Sequence, residues 1–179
     1  MRRVVITGIG VISPIGTGKQ EYFDGLKEGK CGVDYITRFN TEGFETKIAA
    51  EVKDFDPARY MDKKESRRMD RFTQYAVAAT KMAVEDAELN IESVDNNRFG
   101  VCIGSGIGGM ETFEAQYDIL KEKGPRRVSP FMIPMMISNI AAGNISIAFN
   151  AKGPNTTIVT ACASSTNAIG EAFKTIQRG

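Results

Sequence analysis

The sequence predicts an α/β chain in which helices pack on a mostly parallel sheet. Three observations carry this expectation. Short β-branched runs at Arg3 to Ile9, Phe99 to Ile103 and Thr156 to Thr160 each lead into a turn of small or glycine residues and then into a helix-like stretch. Strands that alternate with helices join in parallel through crossover connections. The chain has 179 residues, 42% of them hydrophobic, which is enough for one sizeable core. No tract of low complexity, internal repeat or long linker divides it, so residues 1–179 are expected to form one domain.

The elements follow in order. Arg3 to Ile9 reads as a first strand running into a Gly/Pro loop, and Glu21 to Lys27 as a helix. Asp62-Lys63-Lys64-Glu65 has capping-box spacing, and Met69, Phe72, Ala76, Ala79, Ala83 and Ala87 recur at helical steps. One long helix to about Glu88 is therefore predicted. Phe99 to Ile103 is the second strand, followed by glycines and a helix over Glu111 to Lys123. The apolar region from Phe131 to Phe149 is interrupted by Pro134, Ser138, Asn139, Asn144 and Ser146, so it reads as a buried helix and not a membrane span. Thr156 to Thr160 is the third strand, leading into a helix over Ala163 to Gln177. Gly179 falls where a helix C-cap is expected, and a βα unit normally feeds another parallel strand, so the chain is expected to stop mid-fold.

Composition excludes several classes of function. Lys plus Arg total 23 and Asp plus Glu 22, a net charge of +1, so overall charge argues for neither nucleic acid nor membrane. Cys31, Cys102 and Cys162 lie far apart, and the chain has no histidine, which argues against a metal site. Unpaired cysteines suit a reducing cytoplasm.

A lone cysteine among small residues is ordinarily a small buried hydrophobe, and Cys31 and Cys102 are read that way. Cys162 differs in its predicted place. It falls between the end of a parallel strand and the first turn of a helix, where ligands bind in open parallel sheets. Free N–H groups and the positive end of the helix dipole there favour a thiolate and supply an oxyanion donor. Ala161, Ala163, Ser164 and Ser165 leave room for a substrate. Cys162 is thus the candidate nucleophile.

Thr160-Ala161-Cys162-Ala163-Ser164-Ser165 resembles the nucleophile motif of the β-ketoacyl-acyl-carrier-protein synthases, specifically the elongating type II group. The resemblance continues through Arg3-Val4-Val5-Ile6-Thr7-Gly8 with Ser13-Pro14-Ile15-Gly16, Met69-Asp70-Arg71-Phe72-Thr73-Gln74-Tyr75-Ala76, Gly104-Ser105-Gly106-Ile107-Gly108-Gly109, and Gly124-Pro125-Arg126-Arg127-Val128-Ser129-Pro130-Phe131. It implies a thiolase-like fold, of which this chain is the partial N-terminal half, and a cytoplasmic homodimer needing neither metal nor cofactor. It also implies that Cys162 accepts an acyl chain from a carrier protein and then passes it to the carbanion formed when malonyl-carrier protein loses carbon dioxide. It further implies an oxyanion hole made of the backbone N–H of Cys162 and one from the C-terminal part. Members use two histidines and a lysine from the C-terminal half for decarboxylation. This chain has no histidine, so by itself it is expected not to catalyse condensation.

Two further motifs bear on partners. Gly104-Ser-Gly106-Ile-Gly-Gly109 after a strand also satisfies G-x-G-x-x-G, which raises a dinucleotide-binding half-domain as the alternative. That reading requires an acidic residue roughly 20 positions on, where Arg126-Arg127-Val128-Ser129-Pro130 stands instead. Under the resemblance, Ile107, Met132 and Ile133 line the acyl pocket, although composition alone places the methionines in the core. Lys63, Lys64, Arg67, Arg68 and Arg71 crowd the start of one helix, where like charges repel and oppose the dipole. A charge run is ordinarily a solvated face, but this unfavourable placement points to an anionic partner. The resemblance assigns Lys64, Arg67, Arg68, Arg126 and Arg127 to docking of the acidic acyl carrier protein. Nucleic acid is disfavoured, because no aromatic residues interleave the cations. A non-catalytic carrier-binding module is the remaining alternative.

Overall fold

The computed structural model describes residues 2–179. Among the described residues six short strands and seven α-helices follow in the order β1 (Ile12–Ser13), β2 (Gly16–Thr17), α1 (Lys19–Lys27), β3 (Val33–Tyr35), β4 (Ile48–Ala50), α2 (Lys63–Ser66), α3 (Arg71–Asp86), β5 (Val101–Gly104), α4 (Met110–Lys123), α5 (Met132–Met136), α6 (Ile140–Ala148), β6 (Asn155–Ile158) and α7 (Ser164–Arg178). They fall into two compact units. Among the described residues the larger comprises 2–6, 57–78 and 89–179, and the smaller 7–56 and 79–88.

The larger unit contains the predicted parallel pairing. β5 and β6 lie side by side with Val101 opposite Asn155 and Gly104 opposite Ile158. The chain leaves β5 and crosses through α4, α5 and α6 before it returns as β6. The core gathers Val77, Val101, Ala142, Ile145 and Ala151, with Met69, Phe99, Ile103 and Phe149 packed against them. Helix α7 runs along β5. At their contact the backbones of Gly104 and Ser164 come so close that a Cβ on Gly104 would stand 2.4 Å from the Ser164 carbonyl carbon.

The expected long helix from Asp62 is two helices, because each aspartate opens its own. Asp62 caps α2 by accepting the N–H of Lys64 at 2.6 Å. Asp70 then opens α3, its carbonyl accepting the N–H of Thr73 at 3.0 Å and its Oδ1 facing that of Phe72 at 3.4 Å. An aspartate offers the backbone an acceptor outside the helical ladder, which favours a cap over a helix interior. The Gln74 side-chain amide donates to the carbonyls of Ser66 and Met69, satisfying the end of α2.

The predicted single helix over Phe131 to Phe149 is likewise two, α5 and α6. Ile137 is extended (φ −64°, ψ 139°), and the Met136 carbonyl accepts the N–H of Gly109 at 2.8 Å instead of continuing α5. Burial is also unequal. Ala141, Ala142 and Ile145 of α6 are buried, whereas no residue of α5 is.

The smaller unit holds two antiparallel hairpins that sequence patterning did not predict. β1 pairs with β2, and β3 with β4. The expected strand over Arg3 to Ile9 is not formed among the described residues. β-branched side chains favour an extended backbone, but a strand exists only as a ladder with a neighbour. Within this unit Gly8 and Gly10 lie against the backbone of α3 at Ala83 and Ala79, where added Cβ atoms would approach carbonyl oxygens to 2.1 and 1.9 Å. The N–H of Ile9 donates to the Asp86 carboxylate at 2.9 Å, and Lys19 pairs with the same carboxylate. The alanine spacing of α3 thus serves close backbone approach. Among the described residues, no helix is long and apolar enough to cross a membrane.

Candidate active site

Cys162 is exposed, in a tight turn of residues Ala161–Ala163 between β6 and α7. The turn is strained. Ala161 adopts φ 50°, a left-handed conformation that a residue with a Cβ adopts at a cost of about 1–2 kcal/mol. Such strain persists where neighbours over-determine it, and here Ser164 does so. Its buried hydroxyl accepts the N–H of Thr160 at 2.8 Å and donates to the Ala161 carbonyl at 2.7 Å. The Asn167 side-chain amide donates to Thr160 Oγ1 at 2.8 Å. The hydrogen bonds that close the turn use the N–H groups of Ala163 and Ser164, so that of Cys162 lies outside them.

The glycine loop lies beside this turn. Ser105 extends β5 by donating its N–H to the Ile158 carbonyl at 3.1 Å. A Cβ on Gly106 would stand 3.9 Å from the Ala161 carbonyl oxygen, so the loop passes next to the residue preceding the thiol. At its far end Gly108 has φ 93° and fits against the Met136 carbonyl. Gly109 abuts Asp70, whose Oδ2 would stand 2.8 Å from a Cβ there. That carboxylate also accepts the N–H and hydroxyl of Thr112 at 2.9 and 2.6 Å. It therefore occupies the N-terminal end of α4, the place where a dinucleotide pyrophosphate would lie.

The other cysteines are unlike Cys162. Cys102 lies partly buried in β5 with Sγ 3.3 Å from the Ala168 carbonyl. Burial, helped by the negative charge of Glu171, pushes its thiol up. Cys31 is exposed, although it was expected to be a small buried hydrophobe. It lies in the loop between α1 and β3.

The residues expected to line an acyl pocket stand apart. Ile107 is 71% exposed. It lines a groove of about 400 Å³ with Met110, Phe113, Met136 and Ile137. Met132 lines a separate cleft of about 260 Å³ with Asp70, Gln74, Gln116 and Met135. Ile133 is 55% exposed and lines neither.

Lys64, Arg67, Arg68, Arg126 and Arg127 are all exposed, the last two in a turn after α4. The Arg68 guanidinium stacks over the Phe131 ring at 5.1 Å. This contact joins the end of α2 to the segment that follows Arg126 and Arg127. Among the described residues none of the five pairs with a carboxylate, whereas neighbouring Arg71 reaches Glu111 at 3.3 Å.

Residues 1–179 match the family described as beta-ketoacyl synthase, N-terminal domain, over their whole length. The chain belongs to the β-ketoacyl synthase family. It is 54% identical to a 3-oxoacyl-[acyl-carrier-protein] synthase 2 of Staphylococcus aureus (strain COL) over 178 residues, 99% of this chain and 43% of that protein. It is 51% identical to the protein of the same name from Synechocystis, again over 99% of this chain and 43% of that one. The chain thus spans less than half the length of the curated relatives it matches. Among solved structures, the ishigamide ketosynthase/chain length factor superposes with a TM-score of 0.88 at 35% identity, covering 99% of this chain and 45% of that one. A β-ketoacyl synthase from Burkholderia phymatum superposes with a TM-score of 0.85 at 32% identity, over 100% of this chain and 44% of that one. The fold of this family member is accordingly thiolase-like α/β, and the membership removes the dinucleotide-binding alternative.

Two features of the site were absent from the sequence reading. The strain at Ala161 left no signal, since alanine does not favour a left-handed conformation. In the sequence Asp70 stands as a negative charge that offsets part of the cation crowding at residues 63–71, although an aspartate ahead of a helical run is also a cap signal.

Proposed function

We propose that this chain carries the acyl-accepting part of a β-ketoacyl-acyl-carrier-protein synthase of fatty-acid elongation, working as a cytoplasmic homodimer on acyl- and malonyl-loaded carrier protein. Residues 1–179 form part of one catalytic domain in this reading. The observation that carries it is the exposed Cys162 in a strained turn at the carboxyl end of a parallel strand, in a chain of this family.

The chemistry follows from the turn. Cys162 Sγ attacks the thioester carbonyl carbon of the acyl-carrier protein. A carbon–sulfur bond forms, the bond to the carrier's thiol breaks, and the proton lost by Cys162 leaves with that thiol. The N–H of Cys162, outside the turn's own hydrogen bonds, donates to the oxyanion as the carbonyl becomes tetrahedral. The acyl group then moves to the carbanion released by decarboxylation of the malonyl unit. The histidines and lysine that the resemblance assigns to that step are supplied from outside these residues.

Ile107, Met132 and Ile133 serve the acyl chain. Their separation within one chain suits a pocket completed across the dimer, and 23% identity to a ketosynthase solved with its acyl-carrier protein supports the fold alone. Lys64, Arg67, Arg68, Arg126 and Arg127 receive the carrier. Their freedom from internal carboxylates supports this.

The test is acyl transfer in the full-length protein, read as a mass increase located on Cys162. Cys162→Ser abolishes it with the fold retained. Arg67→Glu with Arg68→Glu raises KM for the acyl-carrier substrate and leaves a small acyl thioester unaffected, and added salt has the same effect. Acylation at another residue would end the reading.

A further inference from the structure

We propose that Asp70 is a positioning residue that fixes the loop of residues 104–109, and Ile107 on it, relative to Cys162, and so determines which acyl chain lengths the thiol accepts. The inference rests on Cys162 as the acyl acceptor, but its observations are separate. Asp70 is only 7% exposed, and among the described residues no cation pairs with it. Burying a carboxylate is costly unless hydrogen bonds offset the lost hydration. The donors are specific. Oδ1 faces the Phe72 N–H, while Oδ2 receives both the N–H and the hydroxyl of Thr112.

Asparagine caps a helix as well as aspartate, so capping α3 does not by itself require the charged residue. Acceptance on both oxygens does: an asparagine that turns its oxygen to the two Thr112 donors sets its NH2 against the Phe72 N–H, and one that turns its oxygen to Phe72 sets its NH2 against the Thr112 N–H.

The loop makes this matter for the thiol. Its first residue, Gly104, is seated on the Ser164–Ser165 backbone, two residues beyond Cys162. Its last, Gly109, is held between the Asp70 carboxylate and the Met136 carbonyl, which accepts its N–H at 2.8 Å. Both ends are pinned and Ile107 lies between them, in the groove with Met110, Phe113, Met136 and Ile137. Asp70 supplies one of the two clamps at the far end and is not itself among the residues lining the groove. Displacing that end moves Ile107 while Cys162 stays in its locally braced turn. Short acyl chains that do not reach Ile107 are indifferent to such a shift, whereas long chains are not.

The experiment measures acylation of Cys162 in the full-length protein with butyryl- and palmitoyl-coenzyme A. In Asp70→Asn the palmitoyl-to-butyryl rate ratio is expected to fall about tenfold, within the range for ångström-scale misplacement by a remote change. Thr112→Ser keeps both donors and retains the wild-type ratio. Thr112→Val, which lacks only the hydroxyl, shifts it in the same direction as Asp70→Asn. The effects of Asp70→Asn and Ile107→Ala on the ratio are less than additive, because both act through one side chain. An unchanged ratio in folded Asp70→Asn, or additive effects with Ile107→Ala, overturns the proposal. If Asp70→Asn does not fold, an unchanged ratio in Thr112→Val does so. Wild-type protein that acylates no thiol at Cys162 instead defeats the functional reading beneath it.

Discussion

Gly104→Ala tests the contact that places the nucleophile. A Cβ at this position stands 2.4 Å from the Ser164 carbonyl carbon, 2.4 Å from the Ser165 nitrogen and 2.5 Å from the Ser164 oxygen. All three are backbone atoms at the start of α7, so no side chain can rotate away. Ordinary van der Waals contact begins at 3.4 Å, and β5 and α7 must therefore separate by about 1 Å. Overpacking of this kind costs about 1–3 kcal/mol. Replacing glycine restricts the unfolded chain and returns about 0.4–1 kcal/mol, so a net loss of about 1–2 kcal/mol is expected. Chemical denaturation measures this as a lower midpoint at unchanged slope. The same displacement carries Cys162, two residues earlier, and acyl transfer is expected to fall by up to about 100-fold. Wild-type midpoint and wild-type transfer in Gly104→Ala would refute the claim that this close approach sets the position of the thiol.

Two further outcomes are expected. Lys19, and secondarily the N–H of Ile9, hold the Asp86 carboxyl below the usual carboxylate range. Its stabilising contribution is thus present at neutral pH and lost as pH falls below about 5 through the carboxylate range. Thermal melts of Asp86→Asn should show a shallower decline over that interval than wild type, and parallel declines would dismiss the role. Under iodoacetamide, Cys162 is expected to react faster than Cys31, which shares its exposure but not its place before a helix, and Cys102 slowest because its thiol is partly buried and pushed up. Peptide mapping over time gives the order, and equal rates at all three would show that the turn does not hold its thiol.

What the sequence disclosed was what local pattern encodes. Helices α1, α4 and α7 and the paired strands β5 and β6 lie within a few residues of their predicted bounds, since each is a periodic run closed by glycine or polar residues. The turn carrying Cys162 was legible for the same reason. Pairing was not. β3 and β4 are each three residues long and join across a loop beginning at Ile36, too short for alternation to register. Residues 3–9 have strand composition without a partner ladder. The break at residues 67–70 follows from the choice of Asp62 and Asp70 each to cap a helix, and that at 137–139 from the choice of the Met136 carbonyl to accept the N–H of Gly109. Neither choice leaves a mark in the spacing of apolar residues.

The bracing of the nucleophile turn separates two kinds of information. The bonds that shape it, among Thr160, Ala161, Ser164 and Asn167, join residues at most seven positions apart. Its location depends on Gly104, far earlier in the chain. The form of the turn is therefore written in one short word of sequence, and its address in another. Contacts this local close with little loop entropy, so the word is readable before the address is known. Substitutions divide accordingly: those within residues 160–167 alter how the thiol is presented, and those on β5 alter to what it is presented.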